Sequence, residues 1–317
     1  MSGRELFERN PANPILTAGD WPYPINAVFN PAAAQVEGTT VLIVRVEDLT
    51  GVSHLTVARS ANGIDGWEID AEPLLAPTAG IESEQWGFED PRVVFIPEHE
   101  RWAITCTAYG PAGPAVFLAT TTDFRSVQRH GIIRQADDKN AALLPCRIGG
   151  KWILFHRPKT ESAGSHGEIL LSRSPDLHNW SAPERVLQPR AGAWWDSLRI
   201  GLGPPPLRTE HGWLIIYHGV KETLGGGIYR VGLVLVDLDE PTRVLHRLPQ
   251  WILAPLAACE REGDVPNVVF PCGVIHNETN DEVRLYYGAA DTSVCVATAQ
   301  LGDLLTAVLA APAEGQG

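Results

Sequence analysis

What this sequence lacks excludes several classes before any motif is read. No apolar run approaches the ~18 to 20 residues needed to span a bilayer. The first ten residues, MSGRELFERN, are polar and charged where a secretory leader needs an apolar centre. The five cysteines (Cys106, Cys146, Cys259, Cys272 and Cys295) are scattered, odd in number and without a C-x-x-C pair. They suggest neither a disulfide frame nor a zinc site, and a reduced cysteine in apolar surroundings packs as a small hydrophobe. A cytoplasmic location is therefore expected. There is also no block of basic residues: 25 Lys+Arg face 38 Asp+Glu, for a formal net charge of −13. Such a surface repels polyanions, so neither nucleic acid nor an anionic membrane is an expected partner. G-x-S-x-G, H-E-x-x-H and Walker A patterns are missing, and the Gly225, Gly226, Gly227 run has no βαβ context for a dinucleotide. His156 and His218 lack a second ligand at helical or hairpin spacing, so no metal site is expected.

What is present is a chain of 317 residues, 44% hydrophobic and 20% charged, enough apolar content for a core and too little charge for disorder. The 25 prolines and 30 glycines interrupt it too often for long helices. Between them lie runs rich in Val, Ile, Leu, Thr and aromatics, the composition of short strands. VLIVRV (41–46), WAITCTAY (102–109), WILFHR (152–157), WLIIYHG (213–219) and VRLYYGAAD (283–291) recur at about 60 residues. A second set follows at nearly the same step: HLTVARS, AVFLATTTD, EILLSRSPD, YRVGLVLVDLD and SVCVATAQL. A third apolar segment precedes each pair: AVFNPAAA, DPRVVFI, AALLPCRI, GPPPLR and VVFPCGVI. Three or four strands repeated five times predict an all-β, five-bladed propeller, with a large two-sheet sandwich as the alternative. A propeller is one domain, here spanning 1–317 with short extensions and a short helix after residue 302.

Ligand sites of propellers lie where the innermost strands converge. GFEDPR (87–92) places two adjacent carboxylates at the start of such a strand. Alternation in a strand lets only one face the axis. It is either a solvated turn or a carboxylic acid able to protonate a leaving-group oxygen. Arg45, Arg59, Arg157 and His218 each sit in or at the end of an apolar strand. A cation there needs a counterion or a ligand; Glu47, Asp48 and Asp196 are the candidate counterions. The aromatics Trp86, Trp194, Trp195, Tyr217, Tyr229 and Phe270 are core residues or platforms for sugar rings.

Taken together, FNPAA (29–33), VRVED (44–48), ARSANGI (58–64), GFEDPR (87–92), DKNAALLP (138–145) and HRP (156–158) resemble the glycoside hydrolase family 130 proteins. So do WDSLRIGLGPPP (195–206), IYHGV (216–220), VPNVVFPCG (265–273) and YYGAADT (286–292), in order and in every blade. The resemblance implies a five-bladed propeller and an inverting phosphorylase, which cleaves a β-mannoside with inorganic phosphate to give α-mannose 1-phosphate. It places the general acid at Asp90, acting through a hydroxyl of the bound mannose. The phosphate positions fall on Lys139, Arg157, Arg199 and His218, the last a cation when protonated. Asn30, Arg45, Arg59, Asn140, Tyr229, Phe270 and Asp291 match positions that contact or shape the sugar pocket. Phosphate is then the co-substrate, with no cofactor, an oligosaccharide is the partner molecule, and homo-oligomers are the family's habit. An inverting β-mannosidase that uses water, and a non-catalytic sugar-binding propeller, are the competing readings. Residues 78–85 and 221–227 are expected to shape the acceptor subsite.

Overall fold

Short runs of β-branched and aromatic residues, punctuated by Gly, Pro and Asn, leave the chain little choice but antiparallel meanders. A computed structural model describes residues 5–158 and 167–313; the fraying expected at 314–317, beyond the short C-terminal helix, lies outside these. Five sheets follow one another along the chain. Blade I holds Ala27–Val36, Thr39–Glu47, Ser53–Ser60 and Glu68–Ile69; blade II holds Phe88–Ile96, Arg101–Gly110, Gly113–Thr121 and Gln128–Arg134. Blade III holds Asp138–Leu143, Trp152–Pro158, Ile169–Ser174 and Glu184–Leu187. Blade IV holds Arg199–Leu202, Trp213–Thr223, Gly226–Val236 and Val244–Arg247, and blade V holds Val269–Asn277, Glu282–Ala289 and Ser293–Gln300. The first strand named in each blade is innermost. Leu301–Leu309 forms the terminal helix and packs Leu304 and Val308 onto blades IV and V. Among the described residues no helix is long and apolar enough to cross a membrane.

The inner strand of blade IV differs from expectation. GPPPLR does not supply it; RIGL at Arg199–Leu202 does, pairing with the upper half of Trp213–Thr223. The prolines carry the chain along to Leu207–Arg208, which pairs with the lower half of the same strand. A proline run has no N–H to give to a ladder, so the bonds move to the residues before it.

The ring is closed by Glu8–Arg9, which adds to the outer edge of blade V opposite Ala297 and Thr298. Arg9 donates to both oxygens of Glu260 (2.7 and 3.0 Å) and to Glu5 (2.6 Å). Glu260 is fully buried and also accepts from the Tyr287 hydroxyl (2.8 Å) and the backbone N–H groups of Leu256 and Ala257. Removing one partner from a buried pair leaves the other charge without compensation. Arg9→Met is expected to destabilise the protein by about 2–3 kcal/mol, visible as a melting temperature lowered by several degrees. Unchanged melting would show that closure does not depend on this pair.

Candidate active site

Three inner strands carry the same irregularity at their entrance. Asn30, Asp90 and Asn140 hold φ of 48°, 49° and 52°, and the ladder slips between Phe29 and Ala32, Glu89 and Arg92, and Lys139 and Ala142. Asn and Asp tolerate this left-handed conformation better than other side chains. The bulge breaks the two-residue alternation, so adjacent side chains reach the same space. Glu89 and Asp90 both line the axial cavity, contrary to the expectation that only one would.

That cavity has a volume of about 670 Å³ and takes residues from every blade. Blade I gives Asn30 and Arg45, blade II Glu89 and Asp90, and blade III Lys139 and Arg157. Blade IV gives Arg199, His218 and Tyr229, while Phe270 and Asp291 come from blade V. Gly167, Leu198, Val265 and Val268 complete the wall, and sequence reasoning missed all four. Neither 78–85 nor 221–227, expected to shape the acceptor subsite, lines it.

Arg59 is not part of this space. It lies on the third strand of blade I, donating to Asp70 (2.6 Å) and to the carbonyl of Phe124 (2.8 Å) in blade II. Asn140 also stands behind the wall. In the orientation its neighbours dictate, its amide oxygen accepts from Arg157 Nε (3.1 Å) and Nη2 (3.2 Å). Of the other aromatics weighed as platforms, Tyr217 and Trp195 are core, and Trp86 and Trp194 are exposed away from the cavity wall. His156 is a blade residue, 2.6 Å from Asp138 and 3.0 Å from the Ser172 hydroxyl.

Asp90 is almost fully buried, and its Oδ1 accepts from Asn30 Nδ2 (2.8 Å) and Arg45 Nη1 (3.2 Å), leaving Oδ2 out of both bonds. Arg45 also binds Glu89 (3.1 Å) and Ser53 (3.0 Å) and lies 4.5 Å over the Phe29 ring. Burial alone pushes the Asp90 carboxyl up, but Arg45, Arg92, Lys139 and the Asn30 bond together hold it below its usual range. The opposite holds for Asp291. Burial, with the nearby carboxylates of Asp90, Glu89 and Glu47, outweighs Arg45 and pushes it up to about 7.

A carboxyl raised this way holds a proton that the unfolded chain releases. Its stabilising contribution is complete below the ordinary value near 3.8 and is lost as pH rises through about 7. Asp291→Asn has no such loss. Its stability relative to the parent is expected to rise between pH 5 and 8 by on the order of 2 kcal/mol, after allowance for partial exposure. Melting curves of both proteins at the two pH values test this; a constant gap between them would refute it.

The opposite wall is cationic. Among the described residues, Lys139, Arg157 and Arg199 make no ion pair within 4.0 Å, and Arg199 Nη2 instead donates to the Tyr229 hydroxyl (2.6 Å). Asp196, weighed as a counterion, is taken by Arg190 and Arg247. Burial and Arg199 push Arg157 down to about 10, and burial lowers Lys139 as well. His218 departs from expectation. Burial first, then Arg157, Arg92, Arg199 and Lys139, hold it well below its usual value, so it enters the site as a neutral imidazole. It is wedged against Phe270, with ring centroids 4.4 Å apart. Gly201 permits this, since a Cβ there would lie 2.7 Å from both His218 Nε2 and the Asn140 side-chain amide.

The site thus sets a buried carboxylate, anchored on one oxygen, in one cavity with three cations that make no ion pair within 4.0 Å among the described residues. Residues 9–309 match the family model for β-1,4-mannooligosaccharide phosphorylase. The chain belongs to glycoside hydrolase family 130. Among relatives of this family 130 protein, the β-1,4-mannooligosaccharide phosphorylase of Ruminococcus albus is 34% identical over 309 residues, 95% of this chain and 90% of the relative. The β-1,2-mannobiose phosphorylase of Listeria innocua is 36% identical over 257 residues, covering 81% of this chain and 69% of that protein. A solved structure of β-1,2-mannobiose phosphorylase from the same Listeria species, with β-1,2-mannobiose bound, superimposes with a TM-score of 0.87. The identity there is 29%, over 96% of this chain and 99% of the other. The five-bladed fold expected from the repeat is the fold of this family.

Proposed function

We propose that this family 130 protein is an inverting phosphorylase of a β-mannoside: a β-1,4- or β-1,2-linked manno-oligosaccharide, or mannosyl-glucose or mannosyl-N-acetylglucosamine. Phosphate attacks the anomeric carbon from the face opposite the departing sugar. The C1–O bond to that sugar breaks as the C1–O bond to phosphate forms. The departing oxygen takes a proton supplied by Asp90 through a mannose hydroxyl, and the proton of the incoming phosphate restores Asp90. The products are α-mannose 1-phosphate and the shortened sugar.

The observation that carries this reading is the trio Lys139, Arg157 and Arg199, which faces the cavity without a counterion. A buried cation without an anion is costly, and a phosphate dianion removes that cost while being held in line for attack. A carboxylate base in contact with phosphate would repel the nucleophile, and the carboxylates lining the cavity, Glu89, Asp90 and Asp291, make no ion pair with this trio within 4.0 Å. Neutral His218 would donate one N–H to a phosphate oxygen without adding charge. Lys139 is one of the cations that hold Asp90 as carboxylate, so a phosphate that neutralises it favours the protonated acid that the reaction needs. Tyr229 and Phe270 supply ring faces for the sugar, and Asn30, Arg45 and Asp291 supply polar partners for its hydroxyls.

β-Mannobiose of either linkage, incubated with and without phosphate, tests the proposal. Mannose 1-phosphate should appear only with phosphate. Equal turnover to free mannose without it would establish the water-using mannosidase, and no turnover on any mannoside the sugar-binding propeller. Synthesis from mannose 1-phosphate with a panel of acceptor sugars would then identify the linkage.

A further inference from the structure

Arg92 belongs to none of the roles above. It follows the Asp90 bulge on the inner strand of blade II and is 1% exposed. Its guanidinium donates from Nη1 to the carbonyl of Asp90 (2.7 Å), from Nε to that of Gly203 (3.0 Å) and from Nη2 to that of Leu202 (3.0 Å). Leu202 ends the inner strand of blade IV, so this one side chain joins two non-adjacent blades across the axis. All three acceptors are neutral, and among the described residues no carboxylate lies within 4.0 Å of it. Its Cζ is 5.8 Å from the ring centre of Phe270, a residue of the cavity wall.

Carbonyl dipoles satisfy the N–H groups but leave the positive charge in place. In a buried setting that charge is poorly screened: it already acts on the Asp90 carboxylate in the cavity, and an anion bound there would feel it as well. We propose that Arg92 is a positioning residue for phosphate: a buried charge that strengthens phosphate binding through space while its hydrogen bonds tie blades II and IV together. This rests on the phosphorylase reading of the same site. Its field already reaches the groups involved, since Arg92 favours the deprotonated forms of Asp90, Arg157 and His218. The other charged or titratable groups facing the cavity are Arg45, Glu89, Lys139, Arg199, Tyr229 and Asp291, and the buried thiols of Cys106 and Cys272 also feel Arg92.

Two variants of the full chain separate the charge from the hydrogen bonds. Arg92→Met is expected to raise the KM for phosphate about tenfold with little change in the KM for mannobiose. Loss of activity at high pH should also move to higher pH, because Asp90 then keeps its proton longer. Arg92→Lys should stay within about threefold of the parent at pH 7. Phosphate is already a dianion above that pH, and a buried lysine, unlike arginine, gives up its proton. The phosphate KM of Arg92→Lys should therefore climb towards pH 9.5 more steeply than the parent's, a test that stands even if Arg92→Met does not fold. Thermal stabilisation by phosphate should weaken in parallel. A folded Arg92→Met with unchanged phosphate KM, or an Arg92→Lys that shows no extra pH dependence, would overturn the proposal. A parent enzyme that does not use phosphate would instead overturn the phosphorylase reading.

Discussion

Asp90→Asn is expected to lower kcat for phosphorolysis of β-mannobiose by about a thousandfold, within the usual range for loss of a general acid. The amide can still accept from Asn30 or Arg45, and Arg45 keeps Glu89, so the melting temperature should change little. The phosphate KM should hold or fall, because a negative charge has left the cavity. The decisive comparison uses a leaving group that departs without a proton. With p-nitrophenyl β-mannoside the deficit should shrink by at least about tenfold, since acid assistance then matters less. An equal deficit on both substrates would mean that Asp90 holds the sugar rather than supplies the proton.

The second large effect is at the cationic wall. Arg157→Met should raise the phosphate KM about a hundredfold, the loss of one or two charge-assisted hydrogen bonds. It also deprives Asn140 of the donors that its amide oxygen now accepts. The mannobiose KM should move far less, because the proposed role of Arg157 is to hold the nucleophile and not the sugar. Arg157→Lys should recover part of the loss: the charge returns as a point, without the planar fork that matches phosphate oxygens. A uniform drop in kcat with both KM values unchanged would place Arg157 outside the phosphate subsite.

These residues were legible to different degrees. The five-fold repeat could be read because strand composition and turn residues recur at nearly constant spacing, and local preference agrees with the global ring. RIGL at 199–202 escaped because it is short and followed by three prolines that read as the segment's core. Arg157 and Arg59 carried the same signal, a cation in an apolar strand, yet Arg59 meets Asp70 eleven residues later while Arg157 meets no carboxylate. That difference comes from strand position: Arg59 sits on the third strand, beside Asp70 of its own blade, whereas Arg157 sits on the second and opens on the cavity. Glu89 was set aside by strict alternation, and the recurring Phe-Asn-Pro, Glu-Asp-Pro and Lys-Asn-Ala triplets were the clue that alternation fails there. The neutral state of His218 was out of reach, because it results from cations contributed by blades II, III and IV around a buried ring.

The pairing of Glu8–Arg9 with Thr298 and Ala297 has a bearing on how the molecule is made. The partners of that strand are synthesised only after the other blades of the ring. Closing a loop of nearly the whole chain carries an entropy cost of about 5 kcal/mol, which no local contact offsets. The outer edge of blade V is therefore expected to stay open through synthesis and to be zipped in the final step. Until then the early blades stand as an unclosed arc with bare edges, and the cavity lacks Phe270 and Asp291. Sugar-binding competence and topological completion arrive together.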